Sequence, residues 1–180
     1  LDLVDGVFEV LSTGGDAQLG GDDFDRIVAL WLLEKAGIST DATPSQRRSA
    51  VTAAEEAKIA LSSTFQVELA VPLSETEAHS EMLTRDEYES LVKPVLDRVV
   101  APCRQAFSDA GIRPEHLDGV VLVGGSTRSP FVQRFVAELF ERKPLCDLDP
   151  DQVVALGAAT QADLLSVDSE LRLVDGGDVC

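Results

Sequence analysis

The run Val120-Val121-Leu122-Val123 is apolar at four successive positions and passes at once into Gly124-Gly125-Ser126-Thr127-Arg128; it constrains the fold more than any other stretch. A strand with one wet face alternates apolar and polar residues, whereas one apolar throughout has to be covered on both faces. Two glycines end the run. Ser129-Pro130 then reads as an N-cap followed by a first-turn proline, opening a helix to about residue 141. A buried strand feeding a helix through glycines is α/β architecture.

The rest of the chain mixes strands and helices in the same way. Residues 3–12 read as one strand rich in Val and Leu, and Thr13-Gly14-Gly15-Asp16 as a turn. Asp22-Asp23 open a helix to about Ala36, with acidic residues where the helix dipole favours them and Gly37 as the terminating glycine. Pro44 opens the next helix, to about Leu61. Residues 64–71 alternate cleanly, and a second strand over 78–83 would complete a hairpin. Thr84 and Glu87 form a capping box that starts a helix to about Ala110, which Pro94 and Pro102 should kink or divide before Gly111 closes it. Asp149-Pro150 opens a last helix to about Leu165, and an acidic tail fills 166–180.

Hydrophobic residues make up 44% of the chain, enough for a packed core. The formal charge of −17, from 15 basic and 32 acidic residues, repels nucleic acid and anionic membranes, so neither is expected as a partner. Any anionic ligand must then be held by local backbone N–H groups and selected cations. No apolar run approaches the roughly 20 residues of a membrane span. Cys103, Cys146 and Cys180 are odd in number and without C-x-x-C spacing, which suits reduced thiols in a cytoplasmic protein. His79 and His116 stand in polar surroundings and read as surface residues. There is no Ser–His–Asp set and no P-loop pattern, so no catalytic residue and no metal ligand is assigned.

Three segments could carry binding chemistry. The turn after residue 123 offers glycines that let backbone approach a ligand, N–H groups at a helix start, the hydroxyls of Ser126 and Thr127, and the planar cation of Arg128; a plain strand-to-helix turn would explain the glycines equally. On the helix over 44–61, Glu55, Lys58 and Ser62 share one stripe beside the apolar face of Ala50, Ala54, Ala57 and Leu61. That stripe also reads as a solvated edge with an intrahelical Glu55–Lys58 pair, worth about 0.2–0.5 kcal/mol. In Leu19-Gly20-Gly21-Asp22-Asp23-Phe24-Asp25 the glycines again present N–H groups, but the aspartates would repel phosphate, and helix capping is the alternative.

In this order, these segments resemble the ATPase domain of the seventy-kilodalton heat-shock chaperones (DnaK-like). The matching strings are Leu19 to Asp25, Ala53-Ala54-Glu55-Glu56-Ala57-Lys58-Ile59-Ala60-Leu61-Ser62, Val121 to Arg128, and Asp149-Pro150-Asp151-Gln152-Val153-Val154-Ala155-Leu156-Gly157-Ala158-Ala159. The resemblance implies an actin-like fold of two lobes around a nucleotide cleft, with this chain as the second lobe over 1–165. Residues 38–115 would be its mobile upper subdomain, whose tilt gates nucleotide release. It implies ATP or ADP as ligand, with Mg²⁺ in the intact protein. Gly124, Gly125, Ser126 and Arg128 would line the adenosine side. Glu55, Lys58 and Ser62 would reach ribose and adenine from the opposing helix, with Asp151 near the base and Gly20 and Gly21 close to the cleft floor. Partners implied are unfolded or iron–sulfur scaffold client proteins and a J-type co-chaperone.

Ile59 stands where many family members carry an arginine that stacks on adenine. Together with Asp22 it resembles the HscA-like branch that serves iron–sulfur cluster assembly. The family's two phosphate loops and catalytic lysine are expected before Leu1 and its peptide-binding domain after Cys180, so the 180-residue chain is expected to be inactive in ATP hydrolysis by itself. Two other readings stand beside this one: the lobe of another actin-fold kinase, such as a sugar kinase, and a non-catalytic interaction module.

Overall fold

A computed structural model describes residues 1–4, 7–145, 152–166 and 173–174. Strands β1 (Asp2–Val4) and β2 (Val7–Glu9) pair antiparallel with Val4 opposite Val7. The expected single strand over 3–12 is therefore a hairpin. The signal for it is Asp5-Gly6, a dipeptide that favours the tight turns joining two strands.

Helix α1 runs over Gly21–Lys35. Asp23 holds its start: its carboxylate accepts from the Gly20 N–H at 2.9 Å, and its own N–H donates to the Gly20 carbonyl at 3.2 Å. Gly37 closes it with φ of 72°, the left-handed conformation that favours glycine. Helix α2 spans Pro44–Leu61, and Thr43 caps it with a capping box to Gln46 that the sequence reading did not include.

β3 (Gln66–Pro72) and β4 (Ala78–Thr84) form the expected hairpin, Gln66 opposite Thr84 through Pro72 opposite Ala78. The Thr84–Glu87 capping box is present: Thr84 N–H donates to Glu87 at 3.0 Å, and Glu87 N–H donates to the Thr84 hydroxyl at 3.3 Å. It starts α3 (Arg85–Leu96). The long helix is divided as expected, by a 3-10 turn over Asp97–Val99, before α4 (Val100–Ala110) and its closing Gly111. Pro94 lies near the end of α3 and Pro102 in the first turn of α4, where a missing N–H costs least.

α5 covers Pro130–Leu139 and α6 covers Val153–Ser166. β5 (Leu173–Val174) pairs parallel with β2, giving the order β1-β2-β5. None of the described helices is long and apolar enough to cross a membrane.

The chain forms two compact units: Ala17–Arg98 with Ser129–Phe131, and Leu1–Asp16 with Val99–Arg128 and Val132–Cys180. In the first unit α1 buries Phe24, Val28, Ala29, Leu32 and Leu33. α2 meets it with Ala50, Ala54, Ala57 and Leu61, and the three alanines allow close helix approach. Leu69, Val71, Leu83, Tyr88, Val92 and Leu96 complete that core from β3, β4 and α3.

In the second unit, the run 120–123 is not the doubly covered strand expected. Its one pairing among the described residues is a parallel bridge from Val121 to Leu145. Val121 is 53% exposed and Val123 46%. A strand buried on both faces needs ladder partners and a layer on each side; here one bridge supplies neither, so the period-2 alternation leaves 121 and 123 in solvent.

Candidate functional site

The first cluster is built on α2. Glu55 is exposed, Lys58 and Ser62 are half-buried, and the Ser62 hydroxyl donates to the Lys58 carbonyl at 3.3 Å. Lys58 does not follow the expected intrahelical pairing. Its ammonium crosses to α1, donating to Asp25 Oδ2 at 2.6 Å and to the Gly21 carbonyl at 3.4 Å. Helix α1 thus supplies Gly21, a predicted site residue, as a backbone acceptor. An ammonium has three N–H groups, and two are engaged among the described residues.

Asp25 was not among the predicted site residues. It is 4% exposed, the single buried charged side chain among the described residues. Burial pushes its carboxyl above the usual value; the hydrogen bond and charge of Lys58 oppose that rise, while Glu55 and Asp22 add to it. Its Oδ1 is buried with no hydrogen-bond partner among the described residues, as is the hydroxyl of Tyr88 on α3. The signal was available: Asp25, Ala29 and Leu33 recur every four residues on the buried face of α1, and a carboxylate on such a face demands a partner.

A pocket of about 700 Å³ opens at the start of α1, lined among others by Gly20, Gly21, Asp23, Arg26 and Arg98. Arg26 and Asp23, three residues apart on α1, pair at 3.5 Å in its lining. Ile59 is 66% exposed on α2.

The second cluster is the turn after the apolar run. Gly124 has φ of 94°, with open space where a Cβ would stand, so conformation and not crowding requires glycine there. Gly125–Arg128 form a 3-10 turn in which Thr127 donates to the Gly124 carbonyl through its N–H at 3.0 Å and its hydroxyl at 2.6 Å. Gln133 on α5 donates to the Thr127 carbonyl at 2.9 Å, tying the turn to the helix it precedes. Thr127 is thereby spent on structure. Ser126 is half-buried, and Gly125 and Arg128 are exposed.

Gly124, Gly125, Ser126 and Arg128 stand together in this turn, and Gly21, Glu55, Lys58 and Ser62 together on the α1–α2 pair. Asp151 lies outside the described residues, as do Cys146 and Cys180. The two clusters belong to different compact units. Both suit a polar anionic ligand: a poised ammonium with a hydroxyl one turn on, and a glycine turn with an exposed guanidinium. No group of His, Cys, Asp and Glu among the described residues could hold a metal ion. Cys103 is half-buried, and burial pushes its thiol up, away from the reactive thiolate.

Comparison with known proteins identifies the context of these clusters. The family described as Hsp70 protein matches residues 1–180. The chain is 50% identical over 179 residues to the "Chaperone protein HscA homolog" of Azotobacter vinelandii, covering 97% of this chain and 28% of that protein. It is 48% identical over 179 residues to the protein of the same name from Pseudomonas fluorescens Pf-5, with the same coverages. The Methylobacillus flagellatus protein of that name is 47% identical over 178 residues, again over 97% of this chain and 28% of its own length. The chain therefore spans about 28% of the length of these curated relatives. With the whole chain matched, it belongs to the Hsp70 family.

Proposed function

We propose that this chain is part of the second lobe of an actin-like nucleotide-binding domain, and that it holds adenine nucleotide for an ATP-dependent chaperone. In this reading Lys58, Glu55 and Ser62 address ribose and adenine. Gly124, Gly125, Ser126 and Arg128 contact the adenosine from their own turn, and Asp151 lies near the base. The boundary of the upper subdomain, at about 38 and 115, belongs to the same proposal. ATP bound with Mg²⁺ supplies the phosphoanhydride whose hydrolysis drives the chaperone cycle; this chain's residues bind and orient. The intact protein would act on unfolded or iron–sulfur scaffold clients with a J-type co-chaperone, in the cytoplasm.

The observation that carries the proposal is Lys58. Its ammonium is half-buried, fixed on two protein acceptors and left with one donor among the described residues, and Ser62 stands one turn further along α2. A ligand rich in hydroxyl and ring-nitrogen acceptors suits that arrangement. Calorimetric titration of the full-length protein with ADP tests it. Lys58→Ala should weaken ADP binding about tenfold or more, the effect of losing a hydrogen bond from a charged donor. Unchanged ADP affinity in a folded Lys58→Ala variant would overturn the proposal.

A further inference from the structure

We infer that Asp25 is a positioning residue for nucleotide binding: it fixes the ammonium of Lys58 while touching no ligand itself. The inference rests on reading Lys58 as a nucleotide contact. A lysine side chain carries a compact charge on a flexible four-carbon stem, and an unanchored ammonium must be immobilised by each ligand that uses it. Here the anchoring is done in advance. The bond to Asp25 Oδ2, at 2.6 Å, is short and charge-assisted, and the Gly21 carbonyl adds a second acceptor.

The anchor cannot swing away. Asp25 sits on the buried face of α1 beside Phe24, Val28 and Ala29, and α1 packs on the alanine face of α2 that carries Lys58. The ammonium is thus set by two helices in contact and not by its own helix.

Stability alone does not account for a carboxylate here. Burying it costs desolvation, and a buried ion pair is often replaced by apolar side chains with no loss of stability. Asp25 also leaves half its hydrogen-bonding capacity unused, since Oδ1 has no partner among the described residues. A group kept solely to satisfy the core would be better satisfied. What Asp25 does accomplish is to hold one cation, whose remaining N–H has no partner among the described residues.

The experiment is a double-mutant cycle in the full-length protein, with ADP and adenosine titrated calorimetrically and melting recorded for each variant. Asp25→Asn keeps the shape and an acceptor oxygen but removes the charge. It should weaken binding of both ligands about tenfold, with less than a twofold effect once Lys58→Ala is present. Asp25→Leu alone strands the Lys58 ammonium and should lower the melting temperature, whereas Asp25→Leu combined with Lys58→Met removes the pair together and should melt near the wild-type temperature while binding ADP no better than Lys58→Met, separating positioning from stability. Equal losses with and without Lys58 would overturn the inference, because they would mark a structural role. Full ADP affinity in Asp25→Asn, beside a loss in Lys58→Ala, would overturn it and leave the proposed function standing. Full affinity in Lys58→Ala would remove both.

Discussion

The Ala17–Arg98 stretch and the region around residues 120–145 both carry strong apolar patterns, but the first buries a large core with its own elements, whereas the second buries Val132 and Val136 of α5 and leaves Val121 and Val123 exposed. There α1, α2, β3, β4 and α3 follow one another along the chain and pack on their sequence neighbours. Val28, Leu32, Val71, Leu83 and Val92 are fully buried as a result. The run 120–123 belongs to a unit assembled from three separate segments, and one bridge to Leu145 is its pairing among the described residues. An apolar pattern states which side chains favour burial. Whether they are buried depends on partners, and those are local in one unit and distant in the other.

The largest test of this contrast is Leu32→Ala, which should cost about 2–5 kcal/mol through lost burial and a residual cavity. Urea unfolding followed by Trp31, the single tryptophan and itself on α1, reads it directly. A cost under about 1 kcal/mol would mean that the α1–α2 core relaxes as freely as a surface.

Next is a pH effect from Tyr88, the single tyrosine. Burial foremost, then the charges of Asp25 and Glu89, push its phenol above the ordinary value of 10.0. The unfolded chain therefore loses this proton first. The contribution is complete below pH 10 and is lost as pH rises above it, at about 1.4 kcal/mol per pH unit for one proton. Urea midpoints taken on either side of pH 10 should fall with this slope in the wild type and more gently in Tyr88→Phe. Equal slopes would place the phenol in solvent.

Thr84→Ala removes the cap of α3 and should cost about 1 kcal/mol, read from the same urea midpoints. The smallest effect sharpens the comparison from the other side: Val121→Ala should change stability by less than about 0.5 kcal/mol, as for an exposed substitution. A loss matching that of Leu32→Ala would show that this run is covered after all.

Much of the local structure was legible. The bounds of α2, the β3–β4 hairpin, the Thr84–Glu87 box, the glycine ends of α1 and α4, and the break after Pro94 follow from turn chemistry and capping, which act over four residues or fewer. The β1–β2 hairpin was missed because the Val and Leu content of 3–12 outweighed its one Asp-Gly pair. The family strings placed Lys58 and the Gly124 turn as candidates; Asp25 closes the string that begins at Leu19, but it reads there with its neighbouring aspartates as helix capping and not as a site residue.

By itself, then, the amino-acid order determined the helices, their caps, the hairpin and the family, because each is written in residues close together or in strings with a fixed order. The tertiary structure decided the partner of Lys58. Spacing along α2 offered Glu55, three residues away, whereas the packing of α1 on the alanine face brought a buried carboxylate to 2.6 Å. A charge in a dry crevice is drawn to the opposite charge that shares its low dielectric, and which residue shares it depends on how two helices cross. Tertiary packing also left Val121 and Val123 exposed: their need for cover was plain in the sequence, and the one bridge to Leu145 among the described residues does not meet it.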